Sequence, residues 1–407
     1  MDAAATLLVR NIGALVTCDP DRGEAPGVVE GAAIAAAGPL ICAVGPEPEV
    51  AAVALAPGAV VLDAGGGAVV PGFVDAHTHL VWLGERSGEY ADRAAGRGYE
   101  EIAAAGGGIR ATVAATRAGS LEELVAAARP RARRMLCSGT TTVEVKSGYG
   151  LEEEAELRQL RAALVLGEDP ALPEVVTTYL PLHALPEADR EGFVDGVCTH
   201  GVERAAPLAR FVDAFCERGA YTAEECIRLL EAGRRVGMRG KLHADQRSRG
   251  NGARIAAFLG AVSADHLEHA TDVDLSILAR AGVVGVILPG ASLVLGGPPP
   301  PGRRLLEAGA RVAVATDCNP GTCYSESMPL MISLAVALGG LTPARALVAA
   351  TAGGAAALGL TDRGMLRAGM RCDLAVLDTP HWLDLGYHLG ADPVRTVVRG
   401  GRVASGG

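Results

Sequence analysis

The sequence is poor in aromatic residues, poor in lysine and free of long apolar runs. Aromatics make up 3% of its 407 residues, so any core must be filled by Ala, Val and Leu rather than by stacked rings. Lysine occurs twice, at Lys146 and Lys241, and arginine supplies the remaining positive charge. No dense basic stripe stands out against a net charge of −10. A phosphate backbone is repelled by such a chain, which argues against a nucleic-acid partner. The densest basic run, Arg131, Arg133 and Arg134, reads as a solvated helix face. No apolar stretch reaches the ~18 residues of a membrane span. Met1 to Asp19 shows no basic segment followed by an apolar one, which predicts no signal peptide and a cytoplasmic location. The nine cysteines are odd in number and form no C-x-x-C pair, so reduced and mostly buried thiols are expected, not a disulfide framework.

Hydrophobic residues reach 49% and charged residues 21%, enough to bury a large core. The length suits one barrel of roughly 250 residues or more with an accessory domain. The first segment reads as short strands between Gly and Pro turns: Leu7–Val9, Ala32–Ala36, Ile41–Val44 and Val60–Leu62. The last segment reads alike, with Leu374–Leu377, Thr396–Val398 and Gly401–Ala404. Between them, apolar runs alternate with amphipathic helical stretches. The runs are Val69–Val74, Thr140–Val145, Val175–Tyr179, Phe211–Phe215, Arg239–His243, Ser263–His266, Val283–Leu288 and Val312–Thr316. Eight such βα alternations predict an α/β fold, a (β/α)8 TIM-like barrel over residues 69–361. Neither terminal segment has strands enough to bury a core alone. Residues 1–68 and 362–407 are therefore expected to join in one small β-sandwich beside the barrel.

The run Val70-Pro71-Gly72-Phe73-Val74-Asp75-Ala76-His77-Thr78-His79 ends an apolar strand in H-x-H. Positions i and i+2 of a strand face the same way, and the C-terminal ends of barrel strands meet at one mouth. His77 and His79 therefore present two nitrogens to one point, suited to a divalent metal or, more blandly, to closing a strand with two polar residues. Three further strand ends carry ligand types: His243 in G-K-L-H-A-D, His266 in A-D-H-L-E-H, and Asp317 in V-A-V-A-T-D. Each alone is more often structural; converging on one face, they make a metal site. A bound metal lowers the pKa of its water towards neutrality, and Asp317 can both ligate and accept a proton.

Four stretches point to a family. They are H-T-H-L-V-W-L-G-E-R (His77–Arg86), G-G-G-I-R-A-T-V-A-A-T-R (Gly106–Arg117), T-T-V-E-V-K-S-G-Y-G-L (Thr141–Leu151) and A-T-D-C-N-P-G-T (Ala315–Thr322). In these the chain resembles the amidohydrolase superfamily and, within it, the imidazolonepropionase family, whose members hydrolyse the cyclic amide 4-imidazolone-5-propanoate to N-formimidoyl-L-glutamate. The resemblance implies one Zn2+ or Fe ion per subunit, held by His77, His79, His243 and Asp317. It implies substrate contacts at Arg86, Tyr149, His183 and Tyr99, a loop of Asn319, Gly321 and Thr322 that holds a polar tail, and a catalytic histidine at His266. The implied partner is a small molecule with a carboxylate tail, and the implied assembly a homodimer. One departure stands out. Some members carry Glu where Gln246 stands, and a glutamine donates and accepts hydrogen bonds but is no general base. Gln246 then contacts substrate, and proton transfer falls to Asp245, His266 or Asp317. Lys146 reads as a salt-bridging or substrate-side residue, since the resemblance favours one metal over two. The rival readings are another amidohydrolase, such as an amino-heterocycle deaminase or a different cyclic amidase, and a metal-free member of the fold serving as an assembly module. The complete ligand set disfavours the last.

Overall fold

The computed structural model describes residues 4–97, 101, 107–187 and 189–406. Eight parallel strands form one sheet in chain order: Phe73–Asp75, Thr140–Lys146, Glu174–Leu182, Phe211–Cys216, Arg239–Ala244, Ser263–His266, Val284–Ile287 and Val312–Val314. The first and last meet just beyond their ends. Asp317 N donates to His77 O at 3.0 Å and His79 N to Cys318 O at 3.0 Å, which closes the barrel. The core is Ala, Val and Leu with a few rings such as Phe73, Tyr179, Phe211 and Tyr221, as the aromatic-poor composition requires. Three of the outer helices open on capping boxes, Ser120 with Glu123, Thr222 with Glu225 and Thr271 with Asp274, which satisfy otherwise orphaned N–H groups.

Both chain ends supply the remaining sheets. One has four strands in the order Leu40–Pro46, Ala32–Ala37, Ala5–Arg10 and Leu55–Asp63. The other has six, in the order Arg402–Ser405, Val394–Arg399, Leu374–Leu377, Val69–Pro71, Ala14–Val16 and Val28–Glu30. They pack over Leu7, Val9 and Ile34 from one sheet and Leu15, Leu374 and Val376 from the other. The i, i+2 spacing of Leu7 with Val9 and of Leu374 with Val376 puts each pair on the inner face.

Two sequence expectations are corrected. The run Val69–Val74 is not one barrel strand. Val69–Pro71 pairs antiparallel with Leu374–Leu377 in the terminal sheet, and only Phe73–Asp75 enters the barrel. The chain changes sheets at Gly72, where a Cβ would lie 2.4 Å from Thr141 Oγ1. Arg131 is not on a solvated face. It is buried, its guanidinium lies 3.4 Å from the centre of the Trp82 ring, and it donates to the carbonyls of Leu80 and Trp82 at 3.1 Å each. The seven cysteines other than Cys42 and Cys137 are buried, and all nine are free thiols. No helix among the described residues is long and apolar enough to cross a membrane.

Candidate metal centre

The barrel's C-terminal mouth gathers His77, His79, His243 and Asp317. Asp75 draws the first and last strands together: its carboxylate accepts from Thr316 Oγ1 at 2.6 Å and from Thr316 N at 3.1 Å. That sets Asp317 Oδ1 3.5 Å from His77 Nε2 and 3.7 Å from His79 Nε2. His243 Nε2 is 3.4 Å from His79 Nε2, and one nitrogen from each of the three histidines lies within 4.8 Å of the others. His77 Nε2 is buried with no hydrogen-bond partner, an arrangement a native interior seldom leaves unexplained. Burial holds His77 and His79 well below the ordinary histidine pKa, so both rings are neutral and carry a lone pair for a cation. Three imidazoles and one carboxylate fit Zn or Fe and leave an open position for water.

The outward nitrogens lie against carboxylates. His77 Nδ1 meets Asp265 Oδ2 at 2.6 Å, and His243 Nδ1 lies 2.9 Å from Asp213 Oδ2. Glu144, Asp213 and Asp265 carry no sequence signal beyond being acidic residues inside apolar strand runs, and the sequence reading assigned them no role. His77, Glu144 and Asp265 form a second cluster of metal-ligand type. Lys146 Nζ stands within it, 3.0 Å from Glu144 and 3.5 Å from Asp265. Burial works against its charge, but Asp213, Glu144 and Asp265 outweigh it and keep that nitrogen an ammonium.

His183 follows the third strand and stacks on His79, with ring centres 4.8 Å apart and planes 12° apart. Burial lowers its pKa to about 4. Tyr149 sits in the loop after the second strand. Buried Glu156 holds that loop by accepting from the amides of Gly148, Gly150 and Leu151, each at 2.7 Å, and Gln159 accepts from Tyr149 N. His266 ends the sixth strand at φ +81°, a backbone state that costs a non-glycine residue roughly 1–3 kcal/mol and gathers at functional sites. Burial holds it well below the ordinary histidine pKa.

A cavity of about 530 Å3 opens above these groups, reached by His79, Tyr149, His183, Gln246, His266 and Asp317. Its rim holds Arg86, Arg93, Arg110, Arg218 and Arg247 against Glu89, a cationic mouth on an acidic chain. Arg86 Nε donates to Glu89 Oε2 at 3.0 Å. A Cβ on Gly321 would stand 2.8 Å from Arg86 Nη1, so a side chain here would have to displace the guanidinium. The Asn319 side chain is spent within its own loop. Its amide donates to Asp317 O and Thr322 Oγ1, and its Oδ1 accepts from Gly321 N and Thr322 N. Thr322 Oγ1 in turn reaches Asp317 Oδ2 at 3.2 Å. Asp245 is likewise committed, accepting from Gly250 N at 2.6 Å and Ala253 N at 2.9 Å, and it does not line the cavity. Tyr99 lies outside the described residues. A larger cavity of about 950 Å3 lies at the opposite end, lined by Cys18, Arg311, Val312 and Met365. It brings together no set of metal ligands among the described residues.

The amidohydrolase family matches residues 68–404. The imidazolonepropionase of Anaeromyxobacter dehalogenans is 45% identical over 98% of this chain and 96% of its own. The chain belongs to the amidohydrolase family and, within it, to the imidazolonepropionases. The member from Deinococcus deserti is 49% identical over 83% of this chain and 84% of its own. The fold recurs in a solved adenosine deaminase from Xanthomonas campestris with bound zinc, at a TM-score of 0.75 and 20% identity over 98% of this chain and 93% of that one. As a family member the chain is a hydrolase with a barrel that takes a divalent metal.

Proposed function

We propose that this chain hydrolyses the ring amide of 4-imidazolone-5-propanoate to N-formimidoyl-L-glutamate, with one Zn2+ or Fe ion per subunit held by His77, His79, His243 and Asp317. The observation that carries the reading is the cavity's polarity: neutral His183, Tyr149 and Gln246 beside the ligand cluster, and an arginine rim above them. A cyclic amide bearing a carboxylate tail matches that order of groups. Lys146 in the second cluster supports a single ion, because its ammonium already supplies the positive charge there.

When bound, the ion supplies a water acidified into the neutral range and polarises the ring carbonyl. Water oxygen bonds to the carbonyl carbon, the lactam C–N bond breaks, and the departing nitrogen takes a proton. Gln246 faces the cavity and carries no proton to move, and Asp245 is occupied by backbone amides. Asp317 and His266 are left to accept the water's proton and return it to nitrogen. Asp317 accepts as a carboxylate, and burial keeps His266 a neutral imidazole with a lone pair. Arg86 holds the carboxylate tail, and the Asn319–Thr322 loop, its amides tied up on Asn319 and Cys323, shapes the wall beside it.

The test is hydrolysis of freshly generated 4-imidazolone-5-propanoate, followed by its ultraviolet absorbance, with enzyme as purified, chelated, and reloaded with Zn2+ or Fe2+. Activity lost on chelation and restored by metal is expected. A metal-loaded enzyme that leaves this substrate untouched and releases ammonia from amino-heterocycles would place the chain among the deaminases instead.

A further inference from the structure

The chain's two lysines are both fully buried, and both lie in the barrel beneath the metal ligands. Lys146 Nζ is 2.8 Å from Asp213 Oδ2, 3.0 Å from Glu144 Oε2 and 3.5 Å from Asp265 Oδ2. Lys241 Nζ is 2.9 Å from Glu144 Oε1 and donates to the carbonyl of Ala76, also at 2.9 Å. The division of labour follows from these contacts. Lys241 braces the backbone beside His77. Lys146 joins the two carboxylates that meet the outward nitrogens of His77 and His243.

An imidazole that donates through Nδ1 keeps its lone pair on Nε2, and Nε2 is the nitrogen that both rings turn to the site. The carboxylates serve only while they are anionic acceptors, and buried anions without a counter-charge are costly. We propose that Lys146 is a positioning residue for the metal: its one ammonium, shared by Asp213 and Asp265, fixes the tautomer and orientation of His77 and His243 together. Two ligands from the first and fifth strands are thereby locked as a pair before the ion arrives. The inference rests on the metal site proposed above and concerns how that site is assembled, not what it hydrolyses.

The experiment is metal binding to the folded apo-protein, with Zn2+ affinity measured by competition with a chromogenic chelator and ligand geometry by the visible absorption of bound Co2+. Lys146→Met is expected to weaken Zn2+ binding by roughly 10- to 100-fold, the usual cost of losing a group that orients a ligand, and to alter the Co2+ spectrum. Lys241→Met, whose lysine pairs with Glu144 and reaches Asp265 through its field but not by contact, is expected to do less on both counts. A folded Lys146→Met protein with wild-type affinity and spectrum would overturn the proposal. Should that variant fail to fold, the wild-type protein decides. With Nζ labelled by 15N it gives two lysine ammonium resonances, assigned with Lys241→Met, and the Lys146 resonance must move on Zn2+ loading. A stationary Lys146 resonance overturns the role. Wild-type protein that binds no metal overturns the site and this inference together; metal binding without turnover overturns only the substrate.

Discussion

Arg86 shows how one residue's worth depends on its neighbours. Its guanidinium is half-buried at the cavity rim with Nε and Nη2 already paired with Glu89, so only part of its fork and charge would be left for a substrate. A hydrogen bond to a charged group contributes about 1.5–3 kcal/mol, and each ~1.4 kcal/mol is tenfold in rate. Arg86→Ala is therefore expected to lower kcat/KM about 10- to 100-fold, since it also leaves Glu89 facing the tail. Steady-state kinetics at saturating metal check this; an unchanged kcat/KM removes Arg86 from the substrate site. Asp245 is the opposite case. It follows His243 closely in sequence, yet two backbone amides occupy its carboxylate.

At the level of elements, Gly72 lets one extended run serve two sheets. Thr141 Cβ itself would be 3.0 Å from an added Cβ, so no rotamer of Thr141 clears the space. Gly72→Ala is expected to cost about 1–3 kcal/mol, as overpacking does, read from urea unfolding. The helix Asp272–Ala281 carries a pH-sensitive cap. Burial works to raise the Asp274 pKa, but Thr271, Arg254 and Arg249 together outweigh it and bring it from 3.8 to about 2. A carboxyl depressed on folding stabilises the native state above its unfolded pKa and loses that effect as pH falls through its folded one. The stability gap between wild type and Asp274→Asn is thus expected to hold above about pH 4 and to shrink between pH 4 and 2. A gap that stays constant down to pH 2 would refute the assignment.

Across the whole molecule, the ligand set joins strands that are far apart in the chain, from His77 to Asp317. A metal held there binds the folded state and not the open chain. It adds RT ln(1 + [M]/Kd), about 4 kcal/mol at a free concentration 1,000 times Kd. Chelation is expected to lower Tm and readdition of Zn2+ to restore it, in a scan at fixed protein concentration. A Tm indifferent to chelation would mean that the ion does not bridge these strands. The cationic rim belongs to this scale too. On a chain of net charge −10, five arginines around one mouth give an anionic substrate a local field that the total charge conceals.

How much was legible in the residues follows from locality. Strand period, βα alternation, H-x-H and the histidine or aspartate at three more strand ends are short-range patterns, and barrel geometry turns them into a convergent site without further information. The terminal strands were legible for the same reason, though Ala14–Val16 and Val28–Glu30 are too short to announce themselves. What folding alone settled are the pairings between residues distant in sequence. Val69–Pro71 leaves the barrel because Leu374–Leu377 is there to receive it. Arg131 is buried because Trp82 and two carbonyls lie beneath it. Asp213 and Asp265 face His243 and His77 only once adjacent strands have set their register. Lys146 is the clearest example: its ordinary salt-bridging chemistry is readable at once, but the three carboxylates around it come together only when the barrel closes.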